Sequence, residues 1–491
     1  MPRLSQSTLR LLPAGIDQPH YDRSGVTPGI VHLGIGAFHR AHMAVYVDRL
    51  LAAAPDWGIV GVSLRRPDTK VALTPQDGYY TVAVRDASGT QCGIIGSIIA
   101  IVDANAERGR LLRLMAAPAI RIVSLTVTEK GYCHDPATGQ LDEHHPDIVH
   151  DLAHPDDPVS APGLIVAALE RRLAHGTAPF TVLSCDNLPN NGATAARIVA
   201  RFAELRSAEL GTHVRQHVAF PSTMVDRIVP ATTDADRQLV DDLIGLEDAW
   251  PIMTEPFTQW VIEDRFPAGR PPFETVGAQL VEDVGPFEKM KLRLLNGSHS
   301  TLAYLGYLAG HEYVSEVMQS PDFVRLIHDL ITLEAMPTLD MPGVDLGHYR
   351  DELLARFSNP ALKHRTWQIA MDGSQKLPQR LLGTIRDRLA AGQPIDRLAL
   401  GVAAWMRYVT GIDEQGAAIE VRDPLAGRLR AIADSAHREP IRLAVGLLTI
   451  GEIFGRDLPQ NEVFREAVTG HLRSLFDHGS AATVAALVRS S

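Results

Sequence analysis

The sequence predicts an α/β protein with a mostly parallel sheet in its N-terminal domain and a mainly α-helical C-terminal domain. Short apolar runs rich in Val, Ile and Thr recur in the first half, separated by stretches of helical periodicity. Apolar runs without polar alternation are typical of strands buried on both faces. After about Pro286 they give way to long segments rich in Leu, Ala, Arg and Glu. Because 491 residues exceed one ordinary core, we predict two domains, 1–285 and 286–491.

Four apolar runs are the predicted strands of the sheet. They are residues 30–33, 59–64, 120–127 and 180–185. A helix is predicted at 39–51, and an antiparallel excursion at 79–84 and 93–102. In the second half the clearest predicted helices are 321–334, 395–409 and 440–453.

The composition is that of an acidic globular protein, with a net charge of −11 and an apolar fraction of 45%. No basic run reaches five residues, so neither a nucleic acid nor a membrane surface is a predicted partner. Cys92, Cys133 and Cys185 are far apart, which argues against disulfides and against a Cys-rich zinc site. We find no signal-peptide pattern and no apolar run near the roughly 20 residues of a membrane span. We therefore expect a cytoplasmic protein.

The motif Gly34-Ile35-Gly36 follows the first predicted strand and opens a helix. Such a turn lets the backbone approach a pyrophosphate, and the helix start supplies amide donors. His39 stands where the usual fingerprint has a third glycine, so a turn that binds nothing is an equal alternative on the motif alone. Its place at the first strand–helix junction favours a dinucleotide site of Rossmann type. Arg40 is either a cation for phosphate or a solvated residue; His39 and His42 lack a third ligand and predict no metal site.

Asp68 follows the second predicted strand. A carboxylate there accepts hydrogen bonds from both ribose hydroxyls and repels a 2′-phosphate, which favours NAD over NADP. Arg65 and Arg66 point the other way, because they offer charges for that phosphate. NAD is the predicted cofactor.

The segment 288–299 carries a lysine, an asparagine and a histidine on a predicted, largely buried helix. On an ideal helix Lys291, Asn296 and His299 fall within an arc of about 140°. Burying such groups costs several kcal/mol unless each has a partner, so chance placement is disfavoured. The alternative is a lysine that reaches solvent and a helix that ends at Asn296-Gly297. Periodicity does not distinguish Lys291 from Lys289.

These residue types suit the oxidation of an alcohol. A desolvated lysine can act as a neutral base, and asparagine amides donate to a developing oxyanion. Asn187, after the predicted strand 180–185, is a second candidate donor or else a helix N-cap or Asx-turn residue. No tyrosine has a lysine four positions later, so the Tyr-x-x-x-Lys base is absent. Together with the sparse cysteines, this leaves a lysine-based site without a metal.

Six motifs resemble one enzyme family, and the resemblance continues into the C-terminal helices, so that it covers almost the whole chain. They are IVHLGIGAFHRAH, SLTVTEKGYC, SCDNLPNNG, MVDRIVP, EPFTQWVIED and KLRLLNGSH. With the spacing Lys-x4-Asn-x2-His, the chain is similar to the long-chain polyol and sugar-acid dehydrogenases typified by mannitol 2-dehydrogenase and fructuronate reductase (D-mannonate oxidoreductase). The resemblance implies a Rossmann-type domain, NAD and a small sugar-acid or polyol substrate. The family includes monomers, and the sequence leaves the oligomeric state of this protein open.

The resemblance also assigns roles to individual residues. It selects Lys291 over Lys289 as the general base, and it makes Asn187 and Asn296 the oxyanion hole. His299 would orient the substrate. Glu288 would lie on the proton's route to water, and Asp226 near the substrate. The residues implied to hold NAD, beside Asp68, are Ile30, Val31, His32, Leu33, Gly34, Ile35, Gly36, Ala37, Phe38, His39, Arg40 and Ala41.

The segment 364–380 resembles the fructuronate reductase branch more than the mannitol branch, in which an arginine stands at the position of Gln368. Lys376, Arg365 and Arg380 are the candidate ligands of a substrate carboxylate, since charge-assisted pairs are strong in a water-poor site. Surface ion pairs are the alternative for each. We predict an NAD-dependent D-mannonate/D-fructuronate oxidoreductase, with mannitol 2-dehydrogenase or a related polyol dehydrogenase as the alternative. A non-catalytic NAD sensor is disfavoured because Lys291 is present.

Overall fold

The computed structural model describes residues 1–135 and 138–490. The chain divides into two compact units, Met1–Gly285 and Pro286–Ser491. All strands of the described residues lie in the first unit. They are β1 (Pro28–Leu33), β2 (Gly58–Ser63), β3 (Tyr80–Asp86), β4 (Gly89–Ile95), β5 (Ile98–Asp103), β6 (Ile122–Leu125), β7 (Thr181–Ser184), β8 (Thr223–Asp226), β9 (Ile252–Thr254), β10 (Gln259–Glu263) and β11 (Gln279–Val281).

The main sheet has five parallel strands in the order β5-β2-β1-β6-β7. Its strands are buried on both faces, because side chains pointing either way are apolar; Ile30 and Val31 of β1 are both fully buried. The predicted mostly parallel sheet is therefore confirmed. Two three-stranded sheets, β4-β3-β9 and β11-β10-β8, complete the strands.

The predicted antiparallel excursion is half right. β3 and β4 form an antiparallel pair, which includes residues 93–95. Residues 98–102, predicted to belong to it, instead lie in β5 and pair in parallel with β2. The chain turns at Gly96, where a Cβ atom would lie 2.7 Å from the ring of Tyr79.

The helices of the first unit cover the main sheet and the loops around it. They are α1 (Ala37–Ala41), α2 (Met43–Leu50), α3 (Asp68–Leu73), α4 (Arg108–Ala116), α5 (Thr128–Gly131), α6 (Pro146–Ala153), α7 (Ala161–Ala174), α8 (Asn191–Arg206), α9 (Ala208–His217) and α10 (Asp234–Ile244). The predicted single helix 39–51 is broken at His42, whose backbone (φ −119°, ψ −95°) is not helical.

The named elements of the second unit within the described residues are all helices, so the predicted mainly α-helical C-terminal domain is confirmed. Its helices are α11 (Gly285–Lys291), α12 (Gly297–Leu308), α13 (Val314–Val317), α14 (Pro321–Asp329), α15 (Leu346–Phe357), α16 (Thr366–Ala370), α17 (Gly373–Leu377), α18 (Gly383–Ala390), α19 (Asp396–Tyr408), α20 (Ala426–Ser435), α21 (Pro440–Leu448), α22 (Gly451–Phe454), α23 (Glu462–His478) and α24 (Ser480–Arg489). Nearly every residue of α12 and α19 is buried, so these two helices form the centre of the unit.

Three π-helical segments interrupt the helices of the second unit. They are Leu292–Asn296, Leu330–Ala335 and Pro378–Leu382. Such turns, with their i→i+5 hydrogen bonds, are rare and often mark functional sites. Across residues 1–135 and 138–490, no helix combines the length and apolarity that a membrane crossing requires.

Candidate active site

The turn after β1 requires glycine at its first position. Gly34 has φ +96°, and a Cβ atom there would lie 2.3 Å from the carbonyl oxygen of Thr126. The Gly34 carbonyl accepts two hydrogen bonds, from Thr126 Oγ1 at 2.6 Å and from the Gly36 N–H at 2.7 Å. The turn is therefore held by Thr126, which follows the neighbouring strand β6, and by a hydrogen bond within its own backbone.

Gly36 is exposed and has open space where a side chain would be. A Cβ atom there would meet nothing nearer than the Gly34 carbonyl oxygen, at 3.9 Å. In dinucleotide-binding turns the first glycine makes the tight turn and the second lets the pyrophosphate approach the backbone. The two glycines of this turn fit those two requirements.

His39, at the position of the missing third glycine, packs against the strand by ring stacking. Its ring centroid lies 3.4 Å from that of His32 on β1, with an interplanar angle of 15°. Burial lowers the pKa of His32 to about 3 and that of His39 well below its usual value. Both rings are therefore neutral near pH 7. Helix and strand approach closely here without a glycine, so the departure from the fingerprint leaves the turn intact.

Arg40 does not offer its charge at the turn, which contradicts both predictions for it. It is 1% exposed, and its Nη1 donates to the carbonyl of Trp250 at 2.7 Å. Its guanidinium lies over the rings of Trp250 and Tyr80.

Four other residues predicted to hold the cofactor have fully buried side chains in the core. They are Ile30, Val31, Leu33 and Ala41. Side-chain contact with a cofactor is excluded for them, because strand and helix packing occupies those side chains.

Asp68 is exposed in the first turn of α3, after β2. Arg65, a predicted candidate for a 2′-phosphate, instead donates to Asp147 Oδ2 at 3.0 Å. The carboxylate thus remains accessible, while one of the two competing cations is engaged in an ion pair.

Asn187 and Asp226 both lie at the carboxyl ends of strands. Asp226 is the last residue of β8 and is 4% exposed. Asn187 is exposed in the loop after β7, which Asp186 holds by accepting the backbone N–H groups of Val127 and Thr128. The N-cap of α8 is Asn190, so the helix-cap alternative for Asn187 is wrong.

The predicted catalytic helix is not a regular α-helix. α11 ends at Lys291, a π-helical segment covers Leu292–Asn296, and α12 begins at Gly297. The predicted arc of about 140° assumed α-helical geometry throughout and therefore does not apply. Asn296 and Gly297 both have helical backbone angles and α12 runs on to Leu308, so a helix end at this point is also wrong.

Burial separates the two lysines that periodicity could not. Lys291 is 8% exposed, as a desolvated base requires. The side chain of Lys289 is 47% exposed and lies 3.5 Å from Asp387 Oδ2. Glu288, half-buried, is three residues before Lys291, a spacing that makes neighbours on a helix.

His299 sits between two aromatic rings, with its Nε2 atom unsatisfied. Its ring stacks on Phe357 at 5.2 Å and meets His364 edge-on at 4.7 Å. Within the described residues Nε2 is buried and has no hydrogen-bond partner. Such an atom fits a polar group of a ligand, because an unsatisfied buried group is costly.

The charged groups that act on His299 are cationic. Burial holds its pKa well below the usual value, and His364, Arg380, Arg356 and Lys376 lower it further, in that order. Burial, with Lys376, also lowers the pKa of His364 to about 4. We call Arg356, Lys376 and Arg380 the basic cluster.

Hydrogen bonds fix two members of the basic cluster, and one of them, Arg380, contacts α12. Arg380 Nη1 donates to Ser300 Oγ at 3.0 Å, and a Cβ atom on Gly297 would lie 2.8 Å from the Arg380 carbonyl oxygen. Lys376 Nζ donates to the carbonyls of Ile369 and Met371.

Arg356 was missed by sequence reasoning. It is 8% exposed and precedes Phe357, the residue that stacks on His299. Arginines are mostly exposed, and no prediction covered the segment of α15, so its sequence context gave no signal.

Arg365 is outside the basic cluster, against the prediction. Its Nη1 lies 3.1 Å from Glu312 Oε1, and its side chain is 45% exposed. The guanidinium also lies over the ring of Tyr313. It forms the surface ion pair that was the alternative.

One group of potential metal ligands lies in the first unit. Ligand atoms of Cys133, His145 and Asp147 are within 4.8 Å of one another. However, His145 Nδ1 accepts the Asp147 backbone N–H at 3.2 Å as the cap of α6, and Asp147 pairs with Arg65. Burial raises the pKa of the Cys133 thiol to about 12. Helix capping and an ion pair account for this group without an ion.

Comparison with known proteins covers both units. The family model described as the mannitol dehydrogenase Rossmann domain matches residues 28–275, and the mannitol dehydrogenase C-terminal domain matches 283–476. D-mannonate oxidoreductase of Escherichia coli is 48% identical over 478 residues, 96% of this chain and 98% of that protein. Uncharacterized oxidoreductase YeiQ of the same organism is 48% identical over 472 residues, 96% of each chain.

A solved structure matches over the full length. Pseudomonas fluorescens mannitol 2-dehydrogenase, in a ternary complex with NAD and D-mannitol, is 41% identical, covers 100% of both chains and has a TM-score of 0.90. The relatives are oxidoreductases, and the family models match nearly the whole chain. This chain therefore belongs to the mannitol dehydrogenase family.

Proposed function

We propose that this chain is an NAD-dependent oxidoreductase that interconverts D-mannonate and D-fructuronate, by hydride transfer at a secondary alcohol with a lysine base and no metal. Family membership and the 48% identity to a relative named D-mannonate oxidoreductase support the proposal. The similar structure that contains NAD supports the choice of cofactor.

The basic cluster is the observation that carries the choice of substrate. Arg380 Nη1 donates to Ser300 Oγ, one residue after His299. Arg356 precedes Phe357, whose ring stacks on His299. Besides burial, these two arginines and Lys376 all lower the pKa of the His299 imidazole. A sugar acid has a carboxylate that pairs with such cations, whereas a polyol has no charge to offer them. Lys376 and Arg380 are the proposed carboxylate ligands, and Arg356 joins them in place of Arg365.

Bound NAD would supply the hydride acceptor, held at the Gly34–Gly36 turn with Asp68 at the ribose. Lys291, as the free amine, takes the proton of the reacting hydroxyl. Asn296 and Asn187 are the proposed hydrogen-bond donors to an oxyanion as its charge develops. His299 bonds a neighbouring hydroxyl through Nε2, which fixes the reacting carbon.

Two further residues have supporting roles in this mechanism. Glu288, three residues before the base, passes the proton from Lys291 toward water. Asp226, buried at the end of β8, helps to position the substrate.

The second candidate is mannitol 2-dehydrogenase, acting on D-mannitol and D-fructose. It is favoured by the full-length similarity to the mannitol 2-dehydrogenase complex. The lysine chemistry would be the same, and only the end of the substrate would differ.

Substrate preference with matched arginine variants tests the proposal. We expect NADH oxidation to have a larger kcat/KM with D-fructuronate than with D-fructose. Arg380→Ala should lower kcat/KM for fructuronate by about 10–100-fold more than for fructose, since a hydrogen bond to a charged group contributes ~1.5–3 kcal/mol. Arg365→Ala, the control, should change either value less than about twofold, as for exposed ion pairs.

If the wild type prefers fructose and Arg380→Ala leaves that preference unchanged, the result would favour the second candidate, mannitol 2-dehydrogenase. Turnover of neither ketone with NADH or NADPH would refute both.

A further inference from the structure

A chain of side-chain hydrogen bonds runs beneath the nucleotide turn. His32, the next-to-last residue of β1, is bonded through Nδ1 to Ser124 Oγ at 2.7 Å and through Nε2 to Thr126 Oγ1 at 2.8 Å. Thr126 Oγ1 is in turn bonded to the carbonyl of Gly34 at 2.6 Å. The chain therefore connects the centre of the sheet to the first glycine of the turn.

The donors and acceptors of these hydrogen bonds can be assigned in one consistent way. A carbonyl only accepts, so the single hydroxyl proton of Thr126 goes to Gly34. Thr126 Oγ1 is then an acceptor, and His32 donates to it through Nε2–H. Nδ1 of the neutral ring accepts from Ser124. The burial that lowers the pKa of His32 to about 3 keeps this neutral form at physiological pH.

The carbonyl oxygen at the end of these hydrogen bonds belongs to Gly34, and glycine is the residue type with the greatest backbone freedom. Glycine adopts positive and negative φ about equally well, so the φ of +96° at Gly34 has to be held by its surroundings. The Thr126 hydroxyl and the Gly36 N–H hold the Gly34 carbonyl from two sides. A turn already fixed in its binding geometry loses less entropy when the ligand arrives.

His39 explains how the His32 ring is kept in place. It lies face to face with His32 at 3.4 Å and is fully buried. Within the described parts of the chain neither of its ring nitrogens has a hydrogen-bond partner. An apolar side chain would fill the site without leaving polar atoms unsatisfied, so packing alone does not account for an imidazole here.

We propose that Thr126 and His32 are positioning residues for the cofactor: the Thr126 hydroxyl, oriented by His32 and braced by His39, holds the Gly34 carbonyl so that the turn is preformed for the dinucleotide. This inference rests on the proposed function, because it takes NAD as the ligand of the turn. It assigns to Thr126 an effect on cofactor affinity and none on the chemical step.

Thr126→Val tests the proposal, since it keeps the β-branched shape and removes the hydroxyl. We expect the Kd for NADH, measured by fluorescence titration, and the KM for NADH to rise about 3–10-fold, the effect of losing one hydrogen bond. The value of kcat at saturating NADH and the KM for the ketone should stay within about twofold of wild type. Thr126→Ser, which retains the hydroxyl, should restore most of the affinity.

Thr181→Val is the matched control. Thr181 lies in β7 of the same sheet, is 1% exposed, and its Oγ1 has no partner within the described residues. The same change there should leave NADH affinity unaltered.

The outcomes separate this inference from the proposed function. If wild type binds NADH and Thr126→Val binds it equally well, or if kcat falls instead of affinity, the positioning role is wrong and the function stands. If Thr126→Ser behaves like Thr126→Val, the role of the hydroxyl is also wrong. A wild-type chain that binds no dinucleotide overturns the proposed function itself.

Discussion

Among the contacting histidine pairs of the molecule, His32–His39 in the first unit and His299–His364 in the second differ in geometry. In the first unit His32 and His39 stack nearly parallel at 3.4 Å. In the second, His299 and His364 meet edge to face at 4.7 Å, with interplanar angle 73°. The pKa is lowered in all four, and loss of hydration is the largest cause in each.

The surroundings of the two pairs differ more than the pairs themselves. His32 is bonded through both ring nitrogens to hydroxyls, whereas His299 has an unsatisfied Nε2 and is acted on by the basic cluster. His32 has both ring nitrogens bonded within the protein and suits a structural brace, although its stacking partner His39 has no hydrogen bond at either ring nitrogen within the described residues. His299 lacks a polar partner at Nε2 within those residues and suits a substrate. On the proposed roles, the same residue type serves binding geometry in one unit and chemistry in the other.

The largest predicted effect concerns Lys291, the proposed base in the second unit. Lys291→Met should lower kcat by about 10²–10⁴-fold, the usual contribution of general base catalysis, because the proposed base is removed. The Kd for NADH, measured by fluorescence, should change less than twofold. Lys289→Met, at the exposed neighbour, is the control and should retain kcat. Full turnover in Lys291→Met would refute the assignment of Lys291 as the base.

A smaller effect is expected at His299. His299→Asn should reduce kcat/KM for the sugar substrate by about 10–100-fold, because the bond from Nε2 to a substrate hydroxyl is lost. NADH affinity should be unchanged, the opposite of the result expected at Thr126. His311→Asn, which alters a histidine against Phe323 in the same unit, serves as the control. Equal losses in both variants would mean that His299 has only a packing role.

The smallest effect concerns stability against pH. The pKa values of about 3 for His32 and 4 for His364 lie below the 6.5 of an unfolded histidine, so the unfolded chain binds more protons below pH 6.5. The free energy of unfolding should therefore fall on acidification, by up to about 1.4 kcal/mol per pH unit for each such group.

His364→Asn isolates one group in this test. Denaturant unfolding of wild type and variant between pH 7 and 5 should give a shallower dependence in the variant. Identical slopes would show that His364 is not held neutral by the fold.

Sequence reasoning predicted the features that depend on local rules. The parallel sheet followed from apolar runs, and the turn at Gly34 and Gly36 followed from the needs of a tight backbone. The roles of Lys291 and His299 came from family resemblance, since periodicity left Lys289 open.

The failures have a common physical origin in long-range contacts and backbone irregularity. Arg40 binds the carbonyl of Trp250, 210 residues away, and no local pattern records such a partner. The same holds for the burial of Arg356. The π-helical segment Leu292–Asn296 shifts hydrogen bonds by one residue without a distinctive composition, so a rule based on 3.6 residues per turn does not detect it.

The contact at Gly297 limits how this enzyme can be redesigned. The Arg380 carbonyl packs against Gly297, which has no side chain. The π-helical segments Leu292–Asn296 and Pro378–Leu382 are therefore packed closely together at this contact. Any substitution that enlarges position 297, or any insertion that shifts 378–382 to suit a longer substrate, will also displace Asn296. On the proposed roles of Asn296 and Arg380, substrate range and reactivity are therefore coupled, and variants selected for a new substrate should carry compensating changes on both segments.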